Sequence, residues 1–197
     1  MTTRPLRVGV LALQGAFQKH IDAIIELGAD ACAVRTVDEL ETVTHLIIPG
    51  GESTTISMLL DRSGLREPIG ERLAAGMATF GTCAGMIMLA DKVLDGRDDQ
   101  QSFGAIDVTV RRNGYGRQLA SFETDLSGGM FGDDSFHAVF IRAPILEALD
   151  SDVEVLATHD DVPVLCRSGH VLIASFHPEL SPDRRIHEYF LEIESAG

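Results

Sequence analysis

The run Gly-Thr-Cys-Ala-Gly at residues 81–85 constrains the fold of this chain more than any other stretch. An apolar run at 77–80 leads into it, and a run of helical character at 84–91 follows it. A nucleophile between two glycines at this spacing is typical of a nucleophile elbow, a sharp turn from a strand into a helix. The glycines are needed where side chains would clash as the strand and the helix come close. We therefore expect Cys83 to project from the top of a sheet, although a structural cysteine beside a glycine-rich turn is the alternative.

The segments before this turn alternate between apolar runs and helical periods. Apolar runs that lack alternation are typical of parallel strands buried on both faces. Ser53 is predicted to be the N-cap of the second helix. The predicted strands are residues 6–13, 29–35, 44–48 and 77–80, and the predicted helices are residues 17–28, 53–62 and 67–75. Strands and helices in this alternation indicate a mostly parallel sheet with helices on both faces, in three layers.

The second half of the chain has a different pattern, with short β-rich runs separated by Gly, Asp and Asn. These runs are residues 106–110, 138–141, 153–157, 162–166 and 171–176. We expect them to add antiparallel strands to the parallel sheet, before a last helix that begins at 181–183 and runs to about residue 193. Because no repeat or linker interrupts the chain, residues 1–197 are expected to form one α/β domain.

Composition excludes several classes of protein. The 197 residues carry 16 basic and 30 acidic side chains, and a net charge of −14 argues against binding to nucleic acid or to an anionic membrane. Three cysteines without a CxxC pair indicate a reducing compartment and no disulfide framework. The first apolar run is too short for a signal peptide and no stretch has transmembrane length, so we expect a cytoplasmic protein.

A catalytic cysteine needs a base, and His177 is the best candidate. It follows the last apolar run, and the carboxyl ends of parallel strands form the active edge of an α/β sheet. Pro178 favours an extended conformation at His177, which would let the Glu179 carboxylate reach the imidazole. We therefore expect Cys83, His177 and Glu179 to form a triad. The six other histidines are expected to be structural, among them His20 on the apolar face of the first helix.

The run Pro-Gly-Gly-Glu-Ser at 49–53 follows the third predicted strand. Its glycines allow the backbone to approach a ligand and to present N–H groups to it. A phosphate-binding loop would need a lysine before the serine, and none is present. We therefore predict that the Gly51 N–H and the Ala84 N–H form an oxyanion hole beside the Cys83 thiolate.

These motifs together resemble the class I (triad) glutamine amidotransferases, which share the cysteine elbow and the His-Pro-Glu run at 177–179. Five further stretches resemble the glutaminase subunits of pyridoxal 5′-phosphate synthase within that class: residues 13–15, 50–55, 112–118, 140–144 and 175–180. The resemblance extends from about residue 8 to residue 190. It implies the fold of that class, with a flavodoxin-like core.

The resemblance also implies an activity, which is the hydrolysis of L-glutamine to glutamate and ammonia. The ammonia would pass to a separate synthase subunit in a hetero-oligomeric complex, and neither a metal nor an organic cofactor is required. Cys83 would be the nucleophile, His177 the base and acid, and Glu179 the residue that orients His177. The implied glutamine-binding residues are Gly50, Gly51, Glu52, Ser53, Arg112, Ile141 and Arg142. By resemblance alone, Gln14 and the first helix are docking elements for the synthase, whose binding would complete the oxyanion hole.

Three alternatives remain open. A glutaminase that serves another synthase, such as that of imidazole glycerol phosphate synthesis, is disfavoured by the runs at 112–118 and 140–144. A cysteine peptidase or glyoxalase-like protein would keep the architecture and show no glutaminase activity. A non-catalytic binding subunit is disfavoured because Cys83, His177 and Glu179 are all present.

Overall fold

The computed structural model describes residues 5–97, 100–112 and 121–195, which form twelve strands and six α-helices. The strands are β1 (Arg7–Leu11), β2 (Asp30–Val34), β3 (His45–Ile48), β4 (Ala78–Thr82), β5 (Ala90–Leu94), β6 (Ile106–Arg111), β7 (Ser121–Leu126), β8 (Phe136–Ile141), β9 (Ile145–Leu149), β10 (Glu154–His159), β11 (Val162–Ser168) and β12 (Val171–Ala174). The α-helices are α1 (Phe17–Glu26), α2 (Val37–Glu41), α3 (Ser53–Ser63), α4 (Arg66–Ala74), α5 (Ala84–Leu89) and α6 (Arg185–Leu191). None of the helices in these ranges is long and apolar enough to cross a membrane.

A seven-stranded sheet in the order β10-β11-β12-β4-β3-β1-β2 is the centre of the fold. The five strands from β12 to β2 run parallel, and β11 and β10 extend the sheet in antiparallel pairing. Every residue of β3, β4 and β12 is buried, which explains why these strands are apolar without alternation. The central position of β4 brings Cys83 to the middle of the carboxyl edge of the sheet.

Helices cover both faces of the sheet, and each face has its own apolar core. Ile21 and Ile24 of α1 pack with Ile186 and Phe190 of α6 on one face. On the other face the core contains apolar residues of four helices, among them Leu40 of α2, Ile56 of α3, Ile69 of α4 and Met86 of α5. The expected α/β fold, with a mainly parallel sheet between two layers of helices, is confirmed.

Several local expectations are wrong, and tertiary pairing accounts for most of them. Among the described residues, only β10 and β11 add antiparallel strands to the main sheet, because β12 pairs with β4 in parallel. The runs at 106–110 and 138–141 lie in separate sheets, β5-β6-β9 and β7-β8. The helix expected over 84–91 ends at Leu89, since residues 90–94 pair with β6 as a strand.

The N-cap of α3 is Glu52 and not Ser53. The Glu52 backbone is extended, and its carboxylate accepts hydrogen bonds from the N–H groups of Thr54 and Thr55. A carboxylate at this position also interacts favourably with the positive end of the helix dipole. Ser53 is instead the first residue of the helix, and its buried Oγ has no hydrogen-bond partner among the described residues.

Candidate active site

Cys83 lies at a sharp turn between β4 and α5. Its φ of 50° and ψ of −105° are outside the regions that a residue with a Cβ normally adopts. Its N–H donates to the Ala174 carbonyl of β12 at 2.8 Å, which helps to hold the turn against the neighbouring strand. A Cβ on Gly81 would overlap the Gly85 backbone, and a Cβ on Gly85 would overlap the Ile48 carbonyl. These close approaches explain why the turn requires both glycines.

His177 follows β12 and faces the cysteine. Its Nδ1 lies 2.7 Å from Oε1 of Glu179, which belongs to a 3-10 turn at Pro178–Leu180. The carboxylate therefore reaches the imidazole from a turn rather than from the extended segment that the sequence predicts. An ionised carboxylate only accepts hydrogen bonds, so Nδ1 carries the proton and Nε2 remains for the thiol. The tautomer suits a base that takes a proton from Cys83.

The surroundings of His177 favour its charged form. Burial opposes protonation, but the interactions with Cys83 and Glu179 outweigh burial and raise the pKa of His177 above its ordinary value. For Glu179 burial alone would raise the pKa, but the imidazoles of His20 and His177 lower it, so the carboxylate is ionised. A charged imidazole next to the cysteine favours the thiolate, the reactive form of the side chain.

Behind Glu179 lies a contact that the sequence analysis missed. His20 of α1 places its Nε2 3.3 Å from Oε2 of Glu179, and both side chains are fully buried. The two residues are far apart in sequence, so periodicity identifies His20 only as a residue on the buried face of its helix. Nothing in the pattern of α1 indicates that its partner is the carboxylate of the predicted triad.

The Pro-Gly-Gly-Glu-Ser loop is held close to Cys83 by two hydrogen bonds. The Gly50 N–H donates to Thr82 Oγ1 at 3.1 Å, and the Glu52 N–H donates to Gln14 Oε1 at 2.9 Å. A Cβ on Gly50 would overlap the His177 ring and would lie 3.3 Å from the Cys83 Cβ. Gln14, expected only as a docking element, thus fixes the loop that contains the predicted oxyanion donor.

Glu52 and Arg112 form an ion pair at the edge of the site. Arg112 Nη2 lies 2.9 Å from Glu52 Oε1, and the hydroxyls of Thr54 and Thr55 each donate to the same carboxylate at 2.7 Å. Partial burial alone would raise the pKa of Glu52, but the hydrogen bonds from Thr55 and Thr54 lower it to about 2. Glu52 therefore caps α3 and holds Arg112, which are structural roles beyond the substrate binding expected from the sequence.

A pocket of about 230 Å³ opens in front of Cys83 and His177. It is lined by Gln14, Gly51, Glu52, Ser53, Cys83, Ala84, Ile87, Arg112, Ile141, Arg142 and His177. The structure thus brings together the predicted residues, with Gly50 beside His177 and Glu179 behind it. The Ile141 carbonyl lies 3.8 Å from Cys83 Sγ. Of the run at 112–118, only Arg112 belongs to the described residues.

Replacing Glu52 with glutamine is expected to lower the free energy of unfolding by about 1 kcal/mol at pH 7, because the capping carboxylate loses its charge. The pKa of Glu52 is lower in the folded chain than its ordinary 4.5, so its contribution is fully present above that pH and is lost as the pH falls towards about 2. Urea denaturation at pH 7 and pH 3 should give a smaller difference at pH 3. Glu67→Gln, in the first turn of α4 without a capping hydrogen bond, is the control and should change little. Equal effects of the two substitutions at both pH values would contradict the assignment.

This sheet, with a cysteine elbow and a His–Glu pair at its carboxyl edge, is the arrangement of the class I glutamine amidotransferases. The chain belongs to the SNO glutamine amidotransferase family, whose model matches residues 10–195.

Named relatives and solved structures agree with that membership. The chain is 54% identical over 195 residues to the pyridoxal 5′-phosphate synthase subunit PdxT of Salinispora tropica, a match that covers 96% of this chain and 97% of the relative. It is 52% identical over 191 residues to the PdxT of Mycobacteroides abscessus, a match that covers 96% of this chain and 98% of the relative. A solved glutamine amidotransferase is 50% identical with a TM-score of 0.87, covering 94% of this chain and 97% of that one. The fold is shared by a chain in the solved structure of PurLQS from Thermotoga maritima, which is 16% identical with a TM-score of 0.66. That match covers 96% of this chain and 98% of the other.

Proposed function

We propose that this chain hydrolyses L-glutamine to L-glutamate and ammonia, and that the ammonia passes to the synthase subunit of a pyridoxal 5′-phosphate synthase. The observation that carries the proposal is that Cys83 and His177 line a pocket together with the glycine-rich loop, while Glu179 contacts His177 from behind. Relatives at 52–54% identity are named as subunits of that synthase, which supports the choice of partner. The three free cysteines accord with the reducing, cytoplasmic location that we expect.

The chemistry begins with the Cys83 thiolate, which attacks the γ-carboxamide carbon and forms a C–S bond. The carbonyl oxygen becomes an oxyanion that the N–H groups of Gly51 and Ala84 would stabilise. His177 donates its proton to the departing nitrogen, the C–N bond breaks, and ammonia leaves a γ-glutamyl thioester on the cysteine. His177 then takes a proton from water, whose oxygen attacks the thioester and releases glutamate. Loss of one oxyanion donor would cost about 3 kcal/mol, or about a hundredfold in rate.

The charged residues of the pocket suit the two ends of an amino acid. Arg112 already pairs with Glu52, whereas Arg142 makes no ion pair with any described residue, so Arg142 is the cation left for the α-carboxylate. Glu52 provides a carboxylate for the α-ammonium group, and the unpartnered Ser53 Oγ provides a further hydrogen bond. Ile141 would pack against the aliphatic part of the substrate.

The experiment is a measurement of ammonia release from glutamine by the purified chain, alone and with a pyridoxal 5′-phosphate synthase subunit. We expect the rate to rise when the synthase is added, because its binding would complete the oxyanion hole. The two glycines of the loop would allow that rearrangement, and a glutaminase that waits for its synthase does not waste glutamine. An equal rate without the synthase would contradict the dependence on the partner. No ammonia release with this synthase, but release with another, would overturn the choice of partner, and no release with any partner would overturn the activity.

A further inference from the structure

A cluster of buried polar side chains lies behind the proposed triad and connects it to helices α1 and α6. His20 of α1 and His187 of α6 are fully buried, and His20 Nδ1 lies 3.0 Å from His187 Nε2. The other ring nitrogen of His20, Nε2, lies 3.3 Å from Glu179 Oε2 and 3.3 Å from Thr82 Oγ1. His20 therefore bridges the carboxylate that orients His177 and a second helix.

The Glu179 carboxylate requires a donor at this point. Its Oε1 is occupied by His177 Nδ1, whereas its buried Oε2 makes no hydrogen bond with any residue that the structure describes. A buried ionised oxygen without a donor is costly, because it has lost its hydration without replacement. His20 Nε2 lies within ion-pair distance of it.

The contacts favour a proton on Nε2 of His20. If Nε2 were unprotonated, its lone pair would face the Glu179 carboxylate, and the two would repel each other. With the proton on Nε2, the ring donates towards Glu179 Oε2 and its Nδ1 accepts the Nε2–H of His187. Thr82 Oγ1 is the other hydrogen-bonding atom near His20 Nε2, and it accepts the Gly50 N–H of the glycine-rich loop.

Burial, more than the neighbouring charges, lowers the pKa of both histidines. Burial lowers the pKa of His20, and the charges of His177 and Arg184 lower it further, whereas Glu179 acts in the opposite direction. Burial also lowers the pKa of His187, to about 3, with His20 and Arg184 acting in the same direction and Glu179 against it. A neutral His20 would donate its Nε2–H without cancelling the charge of the Glu179 carboxylate, and that charge would remain available to His177.

We propose that His20 is a positioning residue for the triad: its Nε2–H holds the Glu179 carboxylate in the orientation in which Oε1 meets His177, and His187 fixes the tautomer of His20. The proposal rests on the triad chemistry proposed above. His20 does not touch the reacting atoms and acts only through Glu179. The shared contact with Thr82 also connects His20 to the loop that contains the predicted oxyanion donor.

The test compares two variants of His20 in the full chain bound to its synthase. His20→Leu removes the donor and keeps an apolar side chain of similar size, whereas His20→Gln keeps an amide N–H near the position of Nε2. Loss of a donor raises the pKa of a carboxylate. As the pH is lowered, His20→Leu should therefore lose activity before the wild type does. The acid limb of its kcat/KM profile should lie about one pH unit higher. Its kcat should fall by about tenfold or more, with little change in KM. His20→Gln should recover most of both losses.

His45→Leu is the matched control. His45 is also buried, and its Nε2 contacts the Ile193 carbonyl, away from the triad. The control should destabilise the fold and leave the acid limb unchanged. A folded His20→Leu variant with the acid limb of the wild type, or a His45→Leu variant with the same shift, would overturn the proposal.

Two further measurements test the proposal without glutamine hydrolysis, and the second of them does not need a folded variant. The pH dependence of Cys83 alkylation by iodoacetamide should show the same shift in His20→Leu, even if the chain acts on a substrate other than glutamine. In the wild-type chain, the ¹⁵N shifts of the histidine rings should show His20 neutral with its proton on Nε2 at about pH 8. A proton on Nδ1 of His20 instead would overturn the proposal even if neither variant folds, because Nε2 could not then donate to Glu179.

Discussion

Replacing Cys83 with alanine is expected to lower the rate of ammonia release from glutamine by about 10⁴-fold or more, to the background rate. The thioester cannot form without the sulfur, and the remaining groups lack a nucleophile to place next to the carboxamide carbon. Because Cys83 adopts a positive φ that alanine also disfavours, the variant keeps the strain of the turn and loses only the thiol. Ammonia should be measured with the synthase present, and circular dichroism should show that the fold is unchanged.

The other two cysteines provide controls for this prediction. Burial raises the pKa of Cys166 to about 12, so its thiol stays protonated at neutral pH and is a poor nucleophile. Cys32 is half-buried in β2, and burial raises its pKa as well. Cys32→Ala and Cys166→Ala should keep the catalytic rate of the wild type, with some loss of stability for Cys166. Ammonia release by Cys83→Ala at the rate of the wild type would instead support a binding subunit whose cysteine has no catalytic role.

Replacing Gly85 with alanine is expected to destabilise the chain by about 3 kcal/mol or more, which lowers the melting temperature by about 6–12 °C. A Cβ at this position would overlap the backbone carbonyl of Ile48, and neither atom belongs to a flexible side chain that could move aside. The sheet and the helix would have to separate at the point where β3, β4 and α5 meet. Because Cys83 lies two residues away, we also expect the loss of activity to exceed the loss of folded protein.

Gly70 provides a matched control, since it too is a glycine within a helix. Among the described residues, a Cβ on Gly70 of α4 would have only Phe103 within 4 Å, at 3.9 Å, which is an ordinary contact. Gly70→Ala should therefore stabilise the chain by about 0.5–1 kcal/mol, the usual gain within a helix. Thermal unfolding of the two variants should move in opposite directions. A Gly85→Ala variant that unfolds at the temperature of the wild type would contradict the close approach of β3 and α5.

Local sequence predicts the parts of the site that depend on short-range geometry. The glycine spacing around Cys83, the glycine-rich loop and the His-Pro-Glu run each predict a turn at the end of a strand, because glycine and proline restrict the backbone within a few residues. The first four parallel strands are also identified, and β3 and β4 are mostly apolar because they are buried on both faces, whereas the parallel pairing of β12 with β4 is not predicted.

The parts that the sequence does not predict depend on contacts between residues that are far apart in the sequence. The run Ile-Leu-Glu-Ala-Leu at 145–149 has helix-forming residues but becomes β9, because it pairs with β6. The contact between His20 and Glu179 joins the first helix to the last 3-10 turn, and no local pattern carries that information. Helix α2 is different: its capping box of Thr36 and Glu39 is readable in the sequence, and the sequence analysis overlooked it.

The most direct test of the account is to identify the covalent intermediate on the cysteine. The chain, bound to its synthase, would be mixed with glutamine and quenched in acid within one turnover, and its peptides would be examined by mass spectrometry. We expect one γ-glutamyl group on the peptide that contains Cys83, absent from Cys83→Ala and absent without glutamine. A γ-glutamyl group on another residue, or rapid ammonia release by Cys83→Ala, would contradict it.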